Sequence, residues 1–370
     1  MTGPGISPSC VAVAALLLGA LPGCRDRARD LGQAGPDSPF QRATPPAATA
    51  LPATPSAGAL ATGPCRGKPA GALACDERAL VRCDVASVTA VRICLDIERC
   101  DAERGECAPA CPSGEVYVPP TSAEGFTMGR GTVPYGFGPR TSENQGHGIA
   151  DTPHRVVLTR PFCMDATEVT VGAYARCVAE GGCTVPDFRT HWIVFPDKAD
   201  YPVNMVDWRQ ARHFCATLGK SLPTEAQWEW AASGDDDGRK WPWGDTPPTC
   251  DHADFTAGDL KAPACDCGCN GGGASPVGTH PSGDKEWPSG KLHDLAGNVW
   301  EWCLDNYAPY KPLPETDPVY RTDEAATHVV RGGGWNRSAL GLMTSFRGTA
   351  VVEYKRPALG FRCVRNPGGA

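Results

Sequence analysis

Leu295-Ala296-Gly297-Asn298-Val299-Trp300-Glu301-Trp302 is one of seven short blocks whose order along the chain decides the fold. It reads as a tight loop running into aromatic residues. Asp294 and Glu301 put two carboxylates on that loop beside its backbone carbonyls, a supply of hard oxygen donors. Trp300 and Trp302 share their character with Trp228, Trp230, Trp241, Trp243 and Trp335 in the other blocks. Ring area of this size ordinarily fills a core; left exposed, the same rings would line a lectin-like or peptide-binding groove. Arg331, Arg347 and Arg362 are candidates to anchor the fold through carboxylates or carbonyls.

Outward from this block, three helices are marked. Thr170 caps a short one reaching about Glu180 and stopped by Gly181-Gly182. Asp207 and Gln210 have capping-box spacing before a second, with Trp208, Ala211, Cys215 and Leu218 along one face and Gly219 as the stop. Thr224 and Gln227 open a third, which ends before Gly234. Val116-Tyr117-Val118 and Arg155-Val156-Val157-Leu158-Thr159 read as strands. Periodicity alone therefore predicts an α+β, loop-rich domain, in keeping with 43 glycines and 36 prolines.

The chain has 370 residues and a formal charge of −7, from 42 acids and 35 bases. It carries no run of Lys or Arg, which argues against a nucleic-acid track or an anionic membrane surface. Nineteen cysteines point to an oxidising compartment. An apolar run from Val11 to Leu21 is shorter than the roughly 20 residues a membrane-spanning helix needs, and fits the core of a secretion signal. Leu21-Pro22-Gly23-Cys24 resembles a bacterial lipobox. Residues 1–24 are thus expected to be a signal peptide, with Cys24 lipidated; ordinary signal cleavage nearby is the alternative. Residues 25–64, rich in Ala and Pro, read as a disordered linker. The resulting expectation is an exported cell-envelope lipoprotein on the periplasmic or outer-membrane face, in contact with a membrane only through Cys24.

Residues 65–111 hold seven cysteines and alternating runs such as Ala79–Cys83 and Val88–Cys94. They predict a small β module in which disulfides replace a core. Zinc is the competing reading, opposed by the absence of CxxC pairs and histidines. Seven is odd, so one cysteine is expected to pair outside the module. Residues 112–368 form the main domain.

The other six blocks are Gly125–Gly129, Met164–Thr170, Leu222–Glu229, Trp241–Gly244, Arg331–Trp335 and Gly360–Arg362. Together with Leu295–Trp302 and in this order, they resemble the formylglycine-generating, or sulfatase-modifying-factor, family. The resemblance implies a variant of the C-type-lectin fold with a twisted sheet and little regular secondary structure. It also implies an activity: members of the family oxidise a sulfatase cysteine to formylglycine with molecular oxygen, using Cu(I) between two thiolates just after the Gly-Gly-Ser block. Soft thiolates select Cu(I). Here Gly334 stands at the serine, and no cysteine occurs between Cys303 and Cys363. Copper is therefore not expected, nor are catalytic residues of that type.

The resemblance further implies structural calcium held by Asp294, the carbonyls of Gly297 and Val299, and Glu301. A second site would use Asp254, the carbonyl of Phe255 and an acid near Asp266. It also implies a Cys215–Cys363 disulfide. Closing that loop of about 150 residues stabilises on the order of 4–5 kcal/mol in the chain-entropy account. Cys177 and Cys183 are expected to staple the turn after the first helix, and Cys163 and Cys303 to pair. Cys250 is expected to reach Cys265, Cys267 or Cys269, a Cys-x-Cys-x-Cys run that could instead hold a soft metal. Two functions follow. One is a binding or structural module whose loops 184–204 and 250–275 hold a protein, peptide or glycan. The alternative is an oxidoreductase of the family, acting on a protein cysteine or a secondary metabolite, with a different active site. Polar residues at Asn336, Arg337 and Ser338 facing an open cleft would favour the second; a filling of Leu340, Leu342 and Met343 would oppose it.

Overall fold

The computed structural model describes residues 65, 72–76, 79–83, 88–94, 98–101, 106–129, 153–187, 196–234, 239–256, 273–321 and 327–367. All of them fall in one compact unit, Ala53–Ala370. The expectations for the signal, Cys24, the linker and Cys265–Cys269 lie outside the described residues.

Strands β1 (Leu73–Asp76), β2 (Ala79–Cys83) and β3 (Val88–Ile93) form an antiparallel sheet, followed by the hairpin of β4 (Glu98–Asp101) and β5 (Glu106–Pro109). The apolar cluster of this module is Cys65, Ala74, Val81 and Cys83, far too little to hold it alone. Three disulfides do so: Cys65–Cys83, Cys75–Cys100 and Cys94–Cys107. The zinc alternative fails here because the sulfurs of Cys94 and Cys107, which lie close to the Glu98 carboxylate, are bonded to each other. The seventh cysteine, Cys111, pairs with Cys163 of the main domain.

In the main domain, β6 (Glu115–Val118), β7 (Phe126–Met128), β8 (His154–Val157) and β9 (Phe162–Asp165) precede three helices: α1 (Val171–Ala179), α2 (Trp208–Thr217) and α3 (Glu225–Ser233). The caps are those the sequence announces. The Thr170 hydroxyl accepts from the Ala173 amide, and capping boxes close at Asp207/Gln210 and Thr224/Gln227. Gly234 ends α3 in a left-handed conformation. The buried face of α2 is Trp208, Ala211, Phe214 and Cys215. Leu218 is 47 % exposed, contrary to expectation, because the helix stops at Thr217 and the turn rotates it away from the core. No helix among the described residues is long and apolar enough to cross a membrane.

The remaining strands are β10 (Lys285–Trp287), β11 (Gly290–Leu292), β12 (Trp300–Asn306), β13 (Glu315–Thr316), β14 (Thr327–Arg331), β15 (Gly348–Val351), β16 (Leu359–Gly360) and β17 (Val364–Arg365). The largest sheet has the order β15-β14-β12-β16, with β12 antiparallel to β14 and parallel to β16. In β12 every residue but Leu304 is buried, so both faces of this strand are covered. One apolar cluster packs α1 and α2 against Trp300, Trp302 and Phe361. Another packs α3, through Trp228 and Trp230, against Phe126, Phe162 and Met164. Burying each such side chain stabilises by about 1.5–3 kcal/mol.

His328 of β14 is buried, its ring stacked on Trp208 with centroids 3.8 Å apart. Burial pushes its pKa down from 6.5 to about 4. The unfolded chain then binds more protons than the folded one between those values. Stability contributed by neutral His328 is accordingly complete above about pH 6.5 and lost as pH falls toward about 4. Asp305, raised by burial to about 7, contributes the opposite slope in the same window. The measurement is therefore a difference: the stability of wild type relative to His328→Phe, which cannot titrate, is expected to fall as pH drops from about 6.5 toward 4.

Candidate functional site

The acidic loop is built on left-handed backbone. Asp294, Gly297 and Asn298 have φ of 55°, 84° and 54°, conformations that β-carbon-bearing residues adopt at a cost. Hydrogen bonds hold it there. The Gly297 amide donates to Gly332 O at 2.9 Å, Asn298 N to Asp254 O at 3.0 Å, and Trp335 N to Asn298 O at 2.8 Å. The Ser275 amide donates to Asn298 Oδ1 at 3.0 Å. A β-carbon on Gly297 would lie 2.4 Å from the Asp254 carbonyl oxygen, so only glycine fits. The loop thus ties three distant segments together, at Asp254, Ser275 and Gly332–Trp335.

Its acids have unequal surroundings. Glu301 lies in β12 and is fully buried. Its Oε1 accepts from Arg362 Nε and Nη2 at 2.9 and 2.7 Å, and its Oε2 from Arg362 Nε and Trp228 Nε1, both at 2.8 Å. Asp294 Oδ2 accepts from the Gly278 amide at 2.5 Å, and Oδ1 stands 3.7 Å from His280 Nδ1. Asp254 Oδ2 accepts from Ser275 Oγ at 2.8 Å, while Phe255 is buried in an apolar cluster. Glu168, a residue that sequence reasoning did not single out, is 1 % exposed, and neither carboxylate oxygen has a hydrogen-bond partner. Burial, reinforced by Asp294, raises its pKa well above the usual carboxylate range. Among the described residues, no three of these side chains bring ligand atoms within 4.8 Å of one another. A cation here would take at most two of them, with the loop's carbonyls supplying further donors.

Beside the loop, α3 presents Glu225 and Glu229 to two buried arginines. Arg347 Nε and Nη2 donate to Glu225 at 2.5 and 2.7 Å, and Tyr310 Oη adds a third bond at 3.0 Å. Arg331 bridges Glu225 and Glu229, and the Gly129 amide donates to Glu229 Oε1 at 2.7 Å. Burial opposes ionisation of Glu225, but Arg347 and Arg331 outweigh it and hold its pKa below the usual range. Burial pushes Glu229 up. The anchoring role expected of Arg331, Arg347 and Arg362 is what the geometry shows. The two glutamates were missed, although both sit in the block Leu222–Glu229; acids embedded among tryptophans and alanines were the available signal.

The turn after β14 is Gly332-Gly333-Gly334-Trp335. A β-carbon at Gly333 would lie 2.6 Å from Gly341 O; at Gly334 it would be 3.2 Å from Ala358 O and Trp300 Cδ1. Beyond it, a short 3-10 turn over Ala339–Leu342 places Leu342 and Met343 in an apolar cluster with Trp241, Phe255 and Ala296, with Leu340 packed against it. Asn336 is exposed, Arg337 and Ser338 half-buried, and the Arg337 guanidinium lies 5.6 Å over the Trp300 ring. Of the seven tryptophans expected in the core, Trp228, Trp230, Trp241, Trp300 and Trp302 are buried, while Trp243 and Trp335 are half-buried.

Residues 119–367 match the family described as the sulfatase-modifying factor enzyme 1-like domain. The chain belongs to this family. It is 27 % identical over 314 residues to the formylglycine-generating enzyme of Streptomyces coelicolor, a match covering 70 % of this chain and 96 % of that protein. It is 33 % identical over 181 residues to the inactive C-alpha-formylglycine-generating enzyme 2 of Bos taurus, covering 46 % of this chain and 52 % of the bovine protein. Among solved structures, PvdO from Pseudomonas aeruginosa aligns at 22 % identity over 70 % of this chain and 95 % of its own, with a TM-score of 0.49. Treponema denticola variable protein 1 aligns at 21 % identity over 68 % and 95 %, with a TM-score of 0.46.

Within this sulfatase-modifying-factor domain the thiols are elsewhere. Cys215 is bonded to Cys363 and Cys177 to Cys183. Cys250 is also disulfide-bonded, to a partner outside the described residues. The expected Cys163–Cys303 pair is absent. Cys163 of β9 pairs with Tyr117 of β6, which brings it to Cys111, the last cysteine of the preceding module. Cys303 is left buried in β12, the one free cysteine among the described residues, and burial raises its pKa well above the ordinary thiol value. A neutral thiol in that setting is a poor nucleophile and a poor metal ligand.

Proposed function

We propose that this is an exported, surface-anchored member of the sulfatase-modifying factor family that does not generate formylglycine, and whose domain serves as a binding or structural module for a protein, peptide or glycan. One observation carries this reading: the segment that follows the glycine turn has no thiol, and buries Leu342 and Met343 against Trp241 and Phe255. Two thiolates are the donors that select Cu(I), and a buried thioether beside a leucine does not replace them. The recognition surface assigned by this reading comprises loops 184–204 and 250–275, of which 188–195 and 257–272 lie outside the described residues. Export and a lipid at Cys24 rest on the apolar run and the lipobox-like tetrapeptide. Purified protein given Cu(I), oxygen and a sulfatase-type cysteine peptide is expected to yield no formylglycine by mass spectrometry. Formation at a clear rate would overturn the proposal.

The same reading includes structural calcium at the acidic loop, with Asp294, the Gly297 and Val299 carbonyls and Glu301 as the family-type ligand set, and Asp254 with the Phe255 carbonyl as a second. Bound calcium would supply positive charge to a buried, acid-rich pocket and rigidify the left-handed loop. The uncompensated Glu168 carboxylate is the feature that fits a cation there. At the second site the Asp254 side chain and carbonyl are both engaged, by Ser275 and Asn298, which leaves less for a metal.

A further inference from the structure

We propose that Lys220 and Asp165 condense into an intramolecular isopeptide bond, with Glu115 as the proton carrier. Three segments bring these groups together. Glu115 of β6 and Asp165 of β9 stand directly opposite each other in an antiparallel pair, an arrangement in which like charges are unfavourable. Lys220 follows the end of α2. Its amide donates to Cys215 O at 2.9 Å, and the next residue, Ser221, bridges to Val364, so its backbone is fixed on both sides. The Lys220 ammonium meets both acids, 2.7 Å from Glu115 Oε1 and hydrogen-bonded to Asp165 Oδ1. The side chains of Lys220, Asp165 and Glu115 are 9, 16 and 5 % exposed, which keeps most water from the amine and the carboxyl group.

Each atom that amide formation needs has a place. Lys220 Nζ is the nucleophile, and its bond to Oδ1 holds it at the carboxyl group; productive separations in such pairs are about 3–3.5 Å. Asp165 Oδ2 accepts from the Cys363 amide at 2.9 Å. That amide is a fixed donor for the negative charge that stays on this oxygen when nitrogen attacks carbon. Glu115 Oε2 is buried and has no hydrogen-bond partner, so this carboxylate has room for a proton. Glu115 Oε1 is paired with Arg365 Nη2 at 3.0 Å.

The step balances without a co-reactant. The ammonium gives one proton to Glu115, and the freed lone pair forms a bond to Asp165 Cγ. The Cγ–Oδ1 bond then breaks. Oδ1 takes a second proton from the nitrogen and the one carried by Glu115, and leaves as water. An ammonium and a carboxylate become an amide and water; Glu115 ends as it began, and nothing is oxidised or reduced. Charge favours the product. Two acids and two bases share this buried cluster, and buried ions are costly to keep from water. Condensation removes one of each and leaves Glu115 with Arg365. The new bond closes a sequence separation of 55 next to the Cys215–Cys363 disulfide and, unlike that disulfide, survives reduction.

The experiment uses the full chain as wild type, Lys220→Arg and Glu115→Gln. Each protein is unfolded, reduced, alkylated and digested with trypsin, and its peptides are read by tandem mass spectrometry. Wild type is expected to give a branched peptide joining the segments that carry Asp165 and Lys220. That peptide is lighter than its two parts by one water and uncleaved after Lys220. Lys220→Arg keeps a cation between the acids and is expected to give linear peptides only. It is also expected to melt at a lower temperature than wild type under reducing conditions, because it lacks the covalent link. Glu115→Gln is expected to lose the branched peptide while retaining both reacting groups. Linear peptides alone from wild type would overturn the proposal and leave the cluster an ordinary buried ion pair. A branched peptide in wild-type yield from Glu115→Gln would overturn the role given to Glu115. The wild-type digest decides on the bond even where a variant fails to fold.

Discussion

Arg362→Met is expected to destabilise the domain by about 3–5 kcal/mol, the usual cost of removing one partner from a buried ion pair. The guanidinium is fully buried. Besides gripping Glu301, it donates to the carbonyls of Asp165, Ala166 and His293 at 3.1, 3.3 and 2.7 Å. Its loss leaves the Glu301 carboxylate, near the start of β12, with the Trp228 indole as its remaining donor, and takes one donor from each of the three carbonyls, of which Ala166 O keeps the His293 amide. The diagnostic variant is Arg362→Met combined with Glu301→Gln. If stranded charge is the main cost, the double variant recovers much of the loss, since replacing both members of a buried pair is often close to neutral. Chemical denaturation of the three proteins under one condition reads this directly. A double variant as unstable as the sum of the singles would mean that the backbone carbonyls, not the charge pair, carry the cost.

The Cys215→Ala, Cys363→Ala double variant is expected to lose about 4–5 kcal/mol. The bond joins α2 to the residue before β17 across a sequence separation of 148, and in the chain-entropy account long loops gain the most from closure. Cys177–Cys183 spans a separation of 6, and the same account gives about 2 kcal/mol for it. Denaturation midpoints of the two double variants should therefore differ markedly, with Cys215/Cys363 the lower. Equal losses would show that local packing around the sulfurs, rather than restriction of the unfolded chain, sets their value.

Local signals were legible wherever a few neighbouring residues decide the outcome. Thr170, Asp207 and Thr224 each cap the helix they announce, because capping is settled within four residues. Gly234 ends α3 for the same reason. Leu218 failed because helical periodicity was carried one residue past the true stop. The Cys163 partner failed for a different reason. Cys163 and Cys303 both lie in buried strands, and which of them meets Cys111 depends on strand order, which no local pattern encodes. Glu168 shows the limit most clearly. It stands in a legible block, Met164–Thr170, but its lack of any partner is a property of everything packed around it.

The amino-acid sequence by itself determined the family, the α+β loop-rich class, the three helix starts, the missing thiol pair and the odd cysteine count of residues 65–111, which requires one partner outside that module. These depend on residue identity and on short spacings, which the chain carries whether folded or not. Tertiary structure alone decided which acids are neutralised and which are not. Glu301 and Arg362 are 61 residues apart, and Glu225 and Arg347 are 122 apart. Whether such groups pair depends on strands and helices converging in a space without water, where a missing partner costs far more than it does in solution.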